Sequence, residues 1–245
     1  MHTQRGFTLT ELAVVLVVIA LLLGGLIVPL STQRDIENQK ATTRQLTGIR
    51  DALIGFVITY GRLPCPDTDT DPSAAVYGLE EITCTADQAS EGFLPWKTLG
   101  TAEHDAWGSP WSSAAEPRQG HWRYRIERDY ADAALLRSLI LNGNDNNGEP
   151  CHGGSAIPPA FPDDCLAVVN NGGQRLYANK ERPVAIVYSL GHDQQANGQN
   201  ASFEGRRTTD PTYQADIPSA NFDDQLIWLT RNNLINLLIS VGKLP

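Results

Sequence analysis

The sequence predicts a fold that mixes α and β elements, on three observations. Apolar residues recur at three- and four-residue spacing in the N-terminal quarter, then alternate with polar residues or gather in short runs, then return to helical spacing at the C-terminal end. Long stretches of Asp, Asn, Gly and Pro separate them, in keeping with 21 Gly and 15 Pro among 245 residues. The chain is 41% apolar, enough for a core in one sizeable domain or two small ones. Its 19 basic residues face 28 acidic ones, and the formal net charge of -9 repels phosphate backbones and argues against general nucleic-acid binding.

The first element is a long helix in two parts. Leu12 to Val28 is seventeen residues without a polar side chain. At about 1.5 Å per residue the run covers roughly 25 Å, near the thickness of a thin hydrocarbon core. No second run approaches that length, which excludes a polytopic membrane protein. A cleaved secretory signal has a shorter apolar stretch and a small-residue cleavage site, which Pro29-Leu30-Ser31 imitates poorly. No Cys precedes Cys65, so lipid attachment at this end is out. A plain signal anchor fits the length but leaves Glu11 unexplained, because a carboxylate at a membrane helix is costly and has no obvious partner here.

Beyond the apolar run, Leu46, Ile49, Leu53, Val57 and Tyr60 form one stripe with Arg44, Arg50 and Asp51 between them, the pattern of an amphipathic helix laid on a domain. Pro29, with Gly24, should bend or locally melt the helix between its two parts. Gly61-Arg62-Leu63-Pro64 should stop it. The last twelve residues, LINLLISVGKLP, echo LIGFVITYGRLP at Leu53 to Pro64, as two apolar helices with similar caps would. That echo predicts a short closing helix packed on the same core.

Between the helices, Trp122, Tyr124 and Ile126 alternate with polar residues within His121 to Arg128, a half-buried strand. Pro183 to Leu190, PVAIVYSL, suits a central strand, and Gln225 to Leu229 is a third. Ala131 to Leu141 fits helix or strand. The segments 64–92, 142–165 and 191–224 read as loops too long to be mere connections.

The residues before the apolar run read Arg5-Gly6-Phe7-Thr8-Leu9-Thr10-Glu11-Leu12. This resembles the type IV prepilin signature, also used by type II secretion pseudopilins. The resemblance implies peptidase cleavage after Gly6, N-methylation of the new N-terminal Phe7, and an assembly role for Glu11, whose charge the Phe7 amine neutralises within or between subunits. It divides the chain into a leader at 1–6, a transmembrane and filament-core half-helix at 7–30, and a periplasmic or extracellular head at 31–245. For the fold it implies an α+β, pilin-like head, a long N-terminal helix packed on an antiparallel sheet with long disulfide-bonded loops.

Cys65, Cys84, Cys151 and Cys165 all fall in the loops, downstream of an export segment, so disulfides are the natural reading. Of three connectivities, Cys65 with Cys84 and Cys151 with Cys165 close the short loops. No C-x-x-C pair supports a four-cysteine zinc site.

Catalytic motifs are scarce. No G-x-S-x-G or P-loop pattern occurs, and His104-Asp105 and His192-Asp193 lie in polar loops and read as solvated residues. Asp67, Asp69 and Asp71 imitate the start of a calcium loop, but Pro72 stands where the turn needs glycine.

Two further segments carry the resemblance. Tyr188-Ser189-Leu190-Gly191-His192-Asp193, with Ala215-Asp216-Ile217 downstream, is similar to the YSLGxDG and ADI segments of major pseudopilins, whose loop binds calcium. Asp105 to Trp111, DAWGSPW, resembles their DPWGxPY turn. The implied calcium ligands are Asp193, Asn197 and Asp216, set against an Asx-rich loop that closes on its own hydrogen bonds. The loop departs from the pattern in its length and in Gln194, which replaces a glycine.

The resemblance as a whole implies a non-enzymatic, minor structural subunit of a type IV pilus or type II secretion pseudopilus, anchored in a bacterial inner membrane before assembly and afterwards in a periplasmic or cell-surface filament. Its partners would be other pilin or pseudopilin subunits, the prepilin peptidase, an inner-membrane assembly platform and the lipid bilayer, with calcium the only candidate cofactor. The competing expectation is a signal-anchored periplasmic enzyme or adhesin outside any filament.

Overall fold

The computed structural model describes residues 8–84, 91–108, 120–134, 166–178, 181–200, 212–219 and 221–243, with backbone alone at 23–32, 128 and 129. Two compact units divide it, Met1–Lys40 and Ala41–Pro245. Helix α1 spans Leu9–Tyr60. Its helical assignment runs through Gly24 and Pro29 without a break, so the expected local melting does not occur. Proline deletes one hydrogen bond, the one to the Gly25 carbonyl, and the bonds of adjoining turns hold the helix together.

From Leu12 to Leu22 α1 is apolar on every side. Leu12, Val14, Leu16, Val18, Leu21 and Leu22 are all exposed, from 48% to 72%. A helix of that kind is stable only where something apolar surrounds it.

In the second unit the sequence turns amphipathic and the helix acquires a core. Leu46, Ile49, Leu53 and Val57 are each at most 2% exposed and enter one apolar cluster. Burying each contributes about 1.5–3 kcal/mol. Tyr60 departs from the expected stripe, being 60% exposed. Phe56 is buried instead, and Tyr60, one turn on in the last turn of the helix, lies against its ring at 4.3 Å.

The sheet facing this stripe has the order β1(Glu91–Phe93), β2(Arg123–Ile126), β4(Pro183–Ser189), β6(Gln225–Thr230), every pairing antiparallel. A short helix α2(Trp96–Leu99) follows β1, and a 3-10 turn at Arg128–Ala131 follows β2. A second sheet pairs β3(Ala167–Val169) with β5(Thr212–Gln214) in parallel. The three strands read in the sequence are present; β1, β3 and β5, three residues each, are too short to show a period. β5 lies inside what read as one loop from 191 to 224.

Strand β4 explains the continuous run PVAIVYSL. Ala185 and Val187 join the cluster under α1, while Ile186 and Tyr188 join a second cluster with Leu166, Val168, Leu190 and Tyr213 from the side of the small sheet. Both faces are covered, so both need apolar residues. On β2 only alternate residues do: Tyr124 and Ile126 go inward, whereas Arg125 pairs with Glu91 directly across the ladder, Nη1 to Oε2 3.4 Å.

The chain closes with α3(Arg231–Ser240), capped by Thr230, whose hydroxyl accepts from the Asn233 N–H. Leu234 and Leu238 enter the α1 cluster. The sequence echo has a local cause: each helix is followed by a glycine in the left-handed region, Gly61 at φ 71° and Gly242 at φ 70°.

Candidate functional site

Gly6 and Phe7 lie outside the described residues. Directly after them the chain forms a reciprocal helix cap. The Thr8 N–H donates to Glu11 Oε2 at 2.9 Å and the Thr8 hydroxyl to the same atom at 2.8 Å, while the Glu11 N–H reaches Thr8 Oγ1 at 3.3 Å. Thr8-Leu9-Thr10-Glu11 is therefore a capping box that satisfies otherwise orphaned N–H groups of α1. Glu11, which from sequence had no partner, has one three residues away.

Cys65 and Cys84 form a disulfide, as their spacing implied. Arg62 clasps the same loop, its guanidinium forking onto both oxygens of Glu80 at 2.7 and 3.0 Å. Inside it Asp67, Asp69 and Asp71 each accept the backbone N–H two residues ahead, three successive Asx turns. Cys151 and Cys165 lie outside the described residues.

The two loops that resemble pseudopilin segments meet. Asp105, read from sequence as solvated, is buried; its Oδ2 accepts the Ser189 hydroxyl, and Trp107 lies edge-on to His192 at 5.3 Å. Burial pushes the Asp105 carboxyl up to about 6, against the hydrogen bonds from Ser189, Trp107 and Gly108. His104 is half-buried, its ring 4.3 Å from that of His121.

Beyond Gly191 the chain wraps around two acids that the sequence reading missed. Asp223 Oδ2 accepts the N–H groups of His192 and Asp193, and Asp224 Oδ2 accepts those of Asn197 and the Asn200 amide. Asn197 Oδ1 receives the Asp223 N–H and its amide reaches Asp193 Oδ2 at 3.2 Å. Asp193 and Asn197 thus come together, whereas Asp216 accepts from Asn171 and Ile217. Gln194 sits at φ 57°, where the resembled segment has glycine, and its amide donates to the Gly191 carbonyl. The only sequence signal for Asp223 and Asp224 is an acid pair directly before a strand.

Crowding shows in their protonation. Burial raises Asp224 to about 7, and the charges of Asp223 and Asp193 add to it, despite the bonds from Asn197 and Asn200. Asp223 is raised too, chiefly by burial. Oδ1 of each is buried with no hydrogen-bond partner among the described residues. Rich in carboxylate and amide oxygens, the loop has the donor chemistry that calcium requires.

Residues 1–27 match the prokaryotic N-terminal methylation motif, the signature of type IV pilins and pseudopilins. The match covers the segment around Glu11 and none of the head. No curated protein and no solved structure matches the chain. The motif implies a membrane-anchored precursor, although among the described residues no helix is long and apolar enough to cross a membrane.

Proposed function

We propose that this chain, with the prepilin-type signature at residues 1–27, is a minor structural subunit of a type IV pilus or type II secretion pseudopilus. The observation that carries the reading is the conjunction at the start of α1: a helix capped by Thr8 with Glu11 in its first turn, then apolar side chains exposed on all sides from Leu12 to Leu22. A lone helix of that surface is unstable in water, but it suits a bilayer before assembly and a bundle of like helices afterwards. Cleavage after Gly6 would create an amine at Phe7, four residues before Glu11 in the chain. In a filament that amine, from the same or a neighbouring subunit, neutralises the carboxylate. The partners this implies are other pilin-type subunits, the prepilin peptidase and an inner-membrane assembly platform.

Calcium belongs to the same reading. Asp193, Asn197, Asp223 and Asp224 supply the oxygens, while Asp216 joins only by leaving Asn171. An ion there would tie the end of β4 to the start of β6.

Mass spectrometry of the mature chain, made in a host that has the peptidase, tests the assignment. The expected product begins at a methylated Phe7. A mature chain that retains Met1 to Gly6 overturns the reading.

A further inference from the structure

A second polar cluster stands apart from the acid loop. Glu103 and His104 lie between α2 and β2, and His104 forms an antiparallel bridge with His121, held by the Asp105 N–H on the Gly120 carbonyl at 3.0 Å. Directly opposed residues on such a ladder project to the same side, which is why the two imidazoles meet at 4.3 Å. Glu103 bridges them, Oε1 lying 3.2 Å from His121 Nε2 and Oε2 3.9 Å from His104 Nδ1. One ligand atom from each residue falls within 4.8 Å of the other two.

We infer that Glu103, His104 and His121 form a binding site for a first-row divalent transition metal, with Zn2+ the ion their chemistry fits best. Two imidazoles and a carboxylate are zinc donors, and imidazole is a poor ligand for calcium, so this site and the acid loop select different ions. Ligand atoms about 3.4 Å apart would surround a tetrahedral zinc. Closing to that distance needs only side-chain rotation, which Glu103 and His104, each 29% exposed at the side chain, have room to make. His121 is the fixed point, its side chain 1% exposed.

Without metal the site is held by hydrogen bonds. The Tyr77 hydroxyl lies 2.8 Å from both Glu103 Oε1 and His121 Nε2. Burial pushes the Glu103 carboxyl up, but Tyr77, His121 and the neighbouring imidazoles outweigh it and keep it below its ordinary value. His104 Nε2 is buried without a hydrogen-bond partner among the described residues. Zinc on His121 Nε2 requires the tautomer that carries its proton on Nδ1 and leaves the Tyr77 hydroxyl to orient the carboxylate. Three protein ligands leave the fourth position to water. Bound metal would pin segment 101–108, and with it the Asp105–Ser189 contact, to the start of β2.

The test uses the full chain in detergent, untagged and with any free thiols alkylated, dialysed against micromolar Zn2+ and then assayed for metal. About one ion per chain is expected. His104→Ala and Glu103→Gln each remove a ligand and should weaken binding beyond the roughly 10–100-fold that even outer-shell changes cost. Both positions are partly exposed, so neither change threatens the core, and His192→Ala should bind as the wild type does. Co2+ in place of Zn2+ should give the absorption of a tetrahedral nitrogen–oxygen site. The inference falls if wild type and His104→Ala retain equal metal, or if His192→Ala abolishes binding.

Discussion

Thr8 and Glu11 cap each other at the start of α1, so the carboxylate on which assembly is proposed to depend also holds the helix end together. The two roles separate by substitution. Glu11→Gln keeps an oxygen for the Thr8 N–H but loses the charge, whereas Thr8→Ala keeps the charge and loses half the cap, at a cost of about 1 kcal/mol. If charge pairing with the Phe7 amine registers subunits, both Glu11→Gln and Glu11→Ala should be depleted from sheared filaments while Thr8→Ala enters them near the wild-type level. Wild-type incorporation of Glu11→Gln would make the cap, and not the charge, the requirement.

The contribution of Asp224 to stability should fall as pH rises from 4 to 7. Asp224 has a folded pKa raised from 3.8 to about 7, so between those values the folded chain holds a proton that the unfolded chain has released. The contribution is complete below 3.8 and lost as pH passes about 7. At about 1.4 kcal/mol per tenfold change in proton activity the loss is bounded near 4 kcal/mol. Asp105, raised to about 6, adds in the same direction. Urea unfolding of full chain in detergent should show Asp224→Asn near wild type at pH 4 and more stable than wild type at pH 7.5, in chelator throughout.

Calcium should reverse that slope. A cation between Asp223 and Asp224 favours their ionised forms, so binding releases protons and strengthens as pH rises. At a hundred times the dissociation constant it would add about 2.7 kcal/mol, visible as a higher melting temperature in calcium than in chelator. Asp193→Ala should remove most of that increment and leave the melting temperature in chelator nearly unchanged, because Asp193 is exposed. Equal melting of wild type in calcium and in chelator would leave the loop as turn chemistry alone.

Replacing Cys65 and Cys84 together by Ser should cost about 3 kcal/mol, the loop-closure entropy expected for a separation of 19 residues. The Arg62–Glu80 fork closes the same loop and limits the loss. Denaturant midpoints of the two forms measure it.

Much of this frame is written in periodicities. The stripe Leu46, Ile49, Leu53, Val57, the alternation around Tyr124 and the run from Pro183 each repeat over enough residues to reveal which faces are covered. Strands of three residues carry no such period, and so β1, β3 and β5 were illegible. The site residues were harder for another reason. His104 pairs with His121 across a bridge, and Asp193 shares its loop with Asp223 thirty residues on; neither neighbour is a function of local spacing. Asp105 read as solvated because its loop is polar, yet the hydroxyl that satisfies it in its buried position is Ser189, 84 residues away.

The division of β4 between two cores makes it a ruler for the whole head. Its residues toward α1 are small or medium, Ala185 and Val187, and those toward the other cluster are larger, Ile186 and Tyr188. A slip of one residue against β2 and β6 would hand the Tyr188 ring to the space under α1 and leave the far cluster a hole. Neither side could absorb the exchange, since one would be overfilled and the other hollow. Alternative strand alignments are thus rejected twice, by excess on one face and deficit on the other. A head whose strands Glu91–Phe93 and Thr212–Gln214 are too short to fix their own alignment can take it from this one strand.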